Sequence, residues 1–248
     1  MIEAEIAGPI GRLTLNAPER HNALDLAGLH RLAEILETWQ GDGRLRALVL
    51  TGNGRSFCSG VSLEDVAGGD WTDNPLTMLC DRLEAFPVPT IAALNGGVFG
   101  GGVELALSCD FRLGVAGMRA FVPPARLGIH YEPAGIARAM QRLGAQMARR
   151  MFLLAESFEA EALLAAGFLD HLVKPAELDA KVADLTGTLA GLAPLAVRGM
   201  KQTILELSQN RLDADAARMR VAACFASADH REGLAAHRER RKPDFTGR

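Results

Sequence analysis

Asn95-Gly96-Gly97-Val98-Phe99-Gly100-Gly101-Gly102-Val103-Glu104-Leu105-Ala106-Leu107 is the stretch from which the rest of the chain is read. Before it, Pro89-Thr90-Ile91-Ala92-Ala93-Leu94 is a short apolar run bounded by proline, the pattern of a buried strand. After it, residues 103–109 form a good helix sequence. The glycines therefore occupy a strand-to-helix turn, and five of them fall between Gly96 and Gly102. Glycine loses much chain entropy on folding, so this density suits a backbone that approaches something closely or adopts unusual dihedrals. The first turn of the helix presents free N–H groups, which bind an anion or an oxygen that becomes anionic during a reaction. A tight turn packed against a neighbouring element explains the glycines equally well from this stretch alone. Two phosphate-binding patterns are excluded. No register supplies G-x-G-x-x-G, and Gly101 is followed by Gly102-Val103 rather than by the Gly-Lys-Ser/Thr of a P-loop.

The 248 residues are enough for one large domain, or a core with an appendage. Hydrophobic residues make up 48% and charged residues 23%, while aromatics are sparse at 5%; Ala, Leu and Gly carry the apolar fraction, which favours closely packed helices. A net charge of −3 gives no general drive towards nucleic acid or an anionic membrane, so neither partner is expected. Cys58, Cys80, Cys109 and Cys224 are widely spaced and form no C-x-x-C. With no signal-peptide pattern and no apolar run of membrane-spanning length, the expected setting is the reducing cytoplasm. The six histidines form no ligand spacing, and no metal is expected. The last 18 residues hold six Arg/Lys against three Asp/Glu, a solvated helix face and tail in the plainer reading.

Outward from the glycine run, residues 1–6 and 10–15 read as a hairpin turned at Gly8-Pro9. Asp25 caps a helix to about Gln40, with Leu26, Leu29, Leu32, Ala33 and Leu36 on one side. Residues 45–51 read as a buried parallel strand. Residues 52–61 form a second glycine-bearing loop, leading to a short helix at 63–67. A connector at 68–73 precedes a helix over 75–85. Strands follow the glycine helix at 110–115 and 120–121, and a short one at 169–173. Helices are expected over 134–143, 145–154, 160–166, 176–189, 195–208, 214–226 and 230–240. Strand–helix alternation to about residue 175, then helices only, implies a repeated ββα core with a helical C-terminal part.

Parallel neighbouring strands place their following turns at one end of the sheet, where ligands of α/β proteins bind. One backbone N–H from each glycine loop can then converge on a single carbonyl oxygen, the geometry of an oxyanion hole. At this point a resemblance becomes specific. Gly54-Arg55-Ser56-Phe57-Cys58-Ser59-Gly60-Val61-Ser62-Leu63, then Asn95-Gly96 through Glu104-Leu105-Ala106 and Cys109-Asp110, resemble the enoyl-CoA hydratase/isomerase (crotonase) family. Residues 18–24, Arg126-Leu127-Gly128, Arg142-Leu143-Gly144, residues 162–167 before Leu169-Asp170, and Glu232-Gly233 to Phe245 match in the right order. The ordered set covers nearly the whole chain.

The resemblance implies an α/β fold: a crotonase-like ββα superhelix over residues 1–190 for acyl-CoA binding and catalysis. Residues 191–248 would form a helical region for oligomerisation and part of the CoA site. It implies an acyl-CoA thioester substrate, a homotrimer or dimer of trimers, and no cofactor, CoA being part of the substrate. By motif position the oxyanion donors would be the N–H groups of Val61 and Gly101, each preceded by a glycine of the substrate site, Gly60 and Gly100. Arg55 and Arg20 would lie near the nucleotide, and Ser59 would offer backbone groups to the adenine; exposed charge is the alternative for both arginines. Lys242 is a weaker candidate.

Hydration of an enoyl thioester needs a carboxylate to take a proton from water and an acid to protonate the α-carbon. Family hydratases use two Glu. Glu104 matches the first; as a first-turn Glu it would otherwise serve the helix dipole. The second is missing: Pro-Glu-x-x-Leu-Gly stands here as Pro123-Pro124-Ala125-Arg126-Leu127-Gly128, so Pro124 occupies the catalytic position. The next loop, Gly128-Ile129-His130-Tyr131-Glu132-Pro133-Ala134-Gly135, gains a His, the chain's only Tyr and a Glu. Glu132 is the candidate replacement for the missing carboxylate, with Tyr131 or His130 as accessory donors. Alternatively Glu132 faces solvent and Tyr131 fills the acyl pocket. Trp71 and Met78 are candidate pocket walls. The leading expectation is an enoyl-CoA hydratase. Isomerisation, decarboxylation or carbon–carbon cleavage through the same enolate, or a non-catalytic CoA-ester-binding subunit, are the alternatives.

Overall fold

The computed structural model describes residues 2–68 and 73–248; Trp71 and most of the connector at 68–73 lie outside them. The expected hairpin is β1 (Ile2–Ala7) and β2 (Ile10–Leu15), antiparallel around Gly8-Pro9. Asp25 caps α1 (Leu26–Trp39) by accepting from the Gly28 N–H at 2.7 Å, and Leu29, Leu32, Ile35 and Leu36 face inward. That spacing of three and four residues is why this segment folds as an amphipathic helix.

Three ββα turns follow. The first is β3 (Ala47–Gly52), β4 (Ser56–Cys58), then α2 (Leu63–Gly68) and α3 (Pro75–Glu84). The second is β5 (Thr90–Leu94), β6 (Gly97–Phe99) and α4 (Gly101–Leu107). The third is β7 (Phe111–Val115), β8 (Arg119–Phe121) and α5 (Pro133–Leu153), broken at Gly144 by non-helical dihedrals. The first strand of each turn joins one six-stranded sheet, β1-β2-β3-β5-β7-β10, and the second joins a smaller sheet, β4-β6-β8-β9. Here β9 is Phe158–Glu159 and β10 is His171–Val173, on either side of α6 (Ala160–Ala165). The register β3–β5–β7 is parallel throughout, with Leu50 opposite Ala92 and Ala92 opposite Arg112. All six residues of β3 are buried, as a central strand covered on both faces requires. Each buried Leu or Val there contributes roughly 1.5–3 kcal/mol.

One sequence expectation needs correction. The glycine-bearing stretches at 52–61 and 96–102 are not simple turns: each contains a three-residue strand of the second sheet, β4 or β6. The helix after the run, α4, has only seven residues. Any anion-stabilising role of the run therefore rests on individual N–H groups rather than on a long helix dipole.

The chain continues through α7 (Leu178–Ala190), α8 (Pro194–Ser208), α9 (Ala214–Ala226) and α10 (Ala228–Glu239). The tail folds back on α10, where the buried Asp229 carboxylate accepts from the N–H groups of Thr246 (2.8 Å) and Gly247 (2.9 Å). No described residue of α9 is buried, and Met200, Ile204, Leu207, Met219, Val221 and Phe225 stand exposed along α8 and α9.

Candidate active site

Asn22 locks the loop of residues 18–24 onto the second sheet. Its amide donates to the carbonyls of Asn53, Ser56 and Phe57 at 2.9, 2.8 and 3.1 Å, and its oxygen accepts from the Ala17 N–H at 2.8 Å. The loop then forms a parallel bridge between Leu24 and Val61: the Leu24 N–H donates to the Gly60 carbonyl, and the Ser62 N–H to the Leu24 carbonyl, both at 2.8 Å. In such a bridge the N–H of Val61 itself points to the other side. That side faces the start of α4. A Cβ placed on Gly101 would stand 3.6 Å from the Val61 nitrogen, and one placed on Gly60 only 2.6 Å from the Gly101 nitrogen. Gly60 has φ +90°, so both its dihedral and its contact require glycine. Gly100 is held by its N–H donating to the Phe121 carbonyl at 3.0 Å. Among the described residues, neither the Val61 nor the Gly101 N–H has a protein acceptor.

Glu104 is one turn further along α4 and 3% exposed. Gly135 at the start of α5 leaves the space into which the Glu104 carboxylate and the Tyr131 ring fit, since a Cβ there would come within 2.7 Å of Glu104 Oε2. The Tyr131 phenol and that carboxylate lie close enough to influence each other's ionisation, and the Tyr131 ring packs on Phe152 with centroids 5.0 Å apart. Burial raises the Glu104 pKa above the ordinary carboxylate value, against the opposing effects of Arg138 and Tyr131. Burial likewise pushes the Tyr131 phenol well above its usual value, with the Glu104 charge adding to the shift.

Arg138, which the sequence reading did not single out, is the main partner of Glu104. Its Nη1 donates to Glu104 Oε1 at 2.8 Å, its Nη2 to Asp81 at 2.6 Å, and its Nε to Glu84 at 3.4 Å. Arg142 reaches the other oxygen of Glu84 at 3.5 Å. A signal was available. In the part of α5 before Gly144 the inward positions are Gly135, Arg138 and Ala139, so Arg138 is a cation on an apolar face. In α3, Glu84 lies on the same face as Leu76, Leu79, Cys80 and Leu83. Matching the two across separate elements needs the tertiary structure.

The remaining candidates are dispersed. Pro124 begins a single 3-10 turn, Pro124–Leu127, and offers no titratable group. Glu132 is half-buried at the N-cap of α5, where its side chain makes no capping bond and, among the described residues, no ion pair. His130 is exposed and donates from Nδ1 to the Tyr131 carbonyl at 2.7 Å. Arg20 pairs with Asp25 at 2.9 Å, while Arg55 is exposed on the loop before β4. The Ser59 N–H is taken by the His21 carbonyl (3.0 Å) and its hydroxyl reaches the Arg20 carbonyl (3.3 Å), so the segments carrying Arg20 and Ser59 adjoin. Met78 is 51% exposed on α3.

A ββα superhelix with two glycine-bearing backbone loops meeting beside a buried carboxyl defines a class of acyl-CoA enzymes. The chain belongs to the enoyl-CoA hydratase/isomerase (crotonase) family, whose model matches residues 5–248. It is 35% identical to the 2,3-dehydroadipyl-CoA hydratase of Escherichia coli over 242 residues, covering 95% of this chain and 94% of that one. It is 31% identical to a crotonyl-CoA hydratase of Syntrophomonas wolfei, covering 94% and 93%. Among solved structures, an enoyl-CoA hydratase/carnithine racemase from Magnetospirillum magneticum superposes with a TM-score of 0.94 at 30% identity, covering 100% of this chain and 96% of that one.

Proposed function

We propose that the protein is an enoyl-CoA hydratase that adds water across the 2,3-double bond of a 2-enoyl-CoA. The observation that supports this reading is the close approach of the Gly60-Val61 and Gly101 backbones, whose Val61 and Gly101 N–H groups take no protein acceptor among the described residues, one helical turn from the buried carboxyl of Glu104. The thioester oxygen accepts from both N–H groups as it takes on enolate charge. Such donors are worth about 3–4 kcal/mol each in the transition state. The Glu104 carboxylate takes a proton from water as the water oxygen bonds to C3. The double-bond pair moves into the enolate, and the Glu104 carboxyl returns the proton to C2. One carboxyl acts as base and then as acid because Pro124 supplies none. Tyr131 orients that carboxyl; Glu132 is the candidate for partial replacement of the missing one, with His130 as an accessory donor.

Arg20, Arg55 and the backbone near Ser59 serve the nucleotide of CoA, while Gly60 and Gly100 line the thioester. The acyl-CoA needs no further cofactor. Residues 191–248 assemble the chain into a homotrimer, or a dimer of trimers, through the apolar face of α8 and α9. The free thiols of Cys58, Cys80 and Cys109, all buried, suit a reducing cytoplasm. The hydratase names of the two relatives support water addition in particular. Incubation with a panel of 2-enoyl-CoA thioesters, read by mass, is the test. The expected product has gained one water. A moved double bond at unchanged mass, loss of carbon dioxide, or tight binding without turnover would each replace this reading with another.

A further inference from the structure

The guanidinium of Arg138 spends each of its three nitrogens on a different carboxylate: Glu104 through Nη1, Asp81 through Nη2 and Glu84 through Nε. Arg138 and Glu104 are buried, at 4% and 3% side-chain exposure; Asp81 is 61% exposed. Arg142 is the second cation, 3.5 Å from Glu84, and Gln209 also donates to Glu84 at 3.4 Å. Three carboxyls therefore face two guanidiniums, and full ionisation leaves one uncompensated negative charge. An exclusive ion pair with Arg138 would make Glu104 a poor base, because taking up a proton would abandon a buried cation. Sharing Arg138 among three acids lessens that obstacle.

We propose that Asp81 is a positioning residue for the acid–base carboxyl: by holding the far side of the Arg138 guanidinium, it leaves Glu104 able to take up and return a proton. The proposal rests on the reading of Glu104 as the acid–base group. Asp81 acts only through Arg138 and touches no reacting atom. The raised pKa of Glu104 agrees, burial being its main cause, with Asp81 adding in the same direction and Arg138 opposing. The other titratable groups around Glu104 are the Tyr131 phenol before α5 and the thiol of Cys80 on α3. Burial pushes the Cys80 thiol well up, so it stays neutral while Glu104 titrates.

The test is a carbon-13 NMR titration of the whole chain labelled at the Glu side-chain carboxyl, without substrate, the Glu104 signal being assigned by its loss in Glu104→Gln. The expected wild-type midpoint lies above the ordinary carboxylate range. In Asp81→Asn, whose site is exposed and whose loss leaves Arg138 its other two partners, the midpoint falls by about half a unit to one unit. In Arg138→Gln, which removes the cation that favours the Glu104 carboxylate, it rises. The acid limb of the pH–rate profile for turnover moves in the same directions. An unchanged or raised Glu104 midpoint in Asp81→Asn overturns the proposal. Failure to hydrate any enoyl-CoA would overturn the functional reading instead, and leave the titration as it stands.

Discussion

Alanine at Gly60 is the sharpest perturbation of the two-loop site. Its methyl would stand 2.6 Å from the Gly101 nitrogen, 3.2 Å from the Gly101 Cα and 3.2 Å from the Phe99 carbonyl oxygen. All three are backbone atoms, so relief requires the loops to separate by several tenths of an ångström. One donor is then lost or misaimed, at about 2.7–4 kcal/mol, or roughly a hundredfold to a thousandfold in turnover. The substitution also strains φ +90°, at about 1–2 kcal/mol of stability. Gly117→Ala separates the two effects, because Gly117 has φ +82° and nothing within 4 Å of the added methyl. Steady-state hydration of an enoyl-CoA beside urea denaturation of both variants is the assay. The expectation is a loss of stability in both, larger in Gly60→Ala because of its backbone clashes, with turnover lost only in Gly60→Ala. Full activity in Gly60→Ala would refute the assignment of the Val61 and Gly101 N–H groups.

Two further outcomes are expected. Because burial raises the Glu104 pKa, the folded chain retains that proton in a pH window where the unfolded chain has released it; stability falls as pH rises through that window and stays lowered above it. Glu104→Gln should remove that slope in denaturation midpoints measured between about pH 4 and pH 8, and lower turnover by about a hundredfold or more. Ile204 and Phe225, 63% and 67% exposed on α8 and α9, should be covered in the assembly. Ile204→Glu with Phe225→Glu should therefore convert a trimer-sized species to monomer in sedimentation, and a monomeric wild type would contradict the proposed interface.

The long elements were legible because each spans several turns or a full buried run. Asp25 capping α1, the apolar stripe Leu29-Leu32-Leu36, and the strand ending at Leu94 all declare themselves locally. Of the second sheet only β8 was expected, at 120–121. β4 and β6 have three residues each and β9 has two, too few to display an alternation, and the glycines around β4 and β6 read as turn signals. Of the candidate site, the loops with Gly60-Val61 and Gly100-Gly101 and the helix with Glu104 were marked from motif order, and the Gly60-Val61 and Gly101 backbones approach closely. The Arg138 hub was not, because Asp81, Glu84, Glu104 and Arg138 lie on three helices separated by as many as 57 residues. The loop of residues 128–135 was marked as a departure. That the Tyr131 ring packs beside the Glu104 carboxyl depends on the space at Gly135, which no local pattern reveals.

The central claim is that the backbone at Val61 and Gly101 grips a thioester oxygen. Infrared difference spectroscopy of a 2-enoyl-CoA carrying carbon-13 at the thioester carbonyl, bound to Glu104→Gln to halt turnover, tests it directly. The account predicts a carbonyl stretch at clearly lower frequency than that of the same compound free in solution, and a return towards the free value in Gly60→Ala combined with Glu104→Gln. A bound carbonyl vibrating at its solution frequency would contradict it.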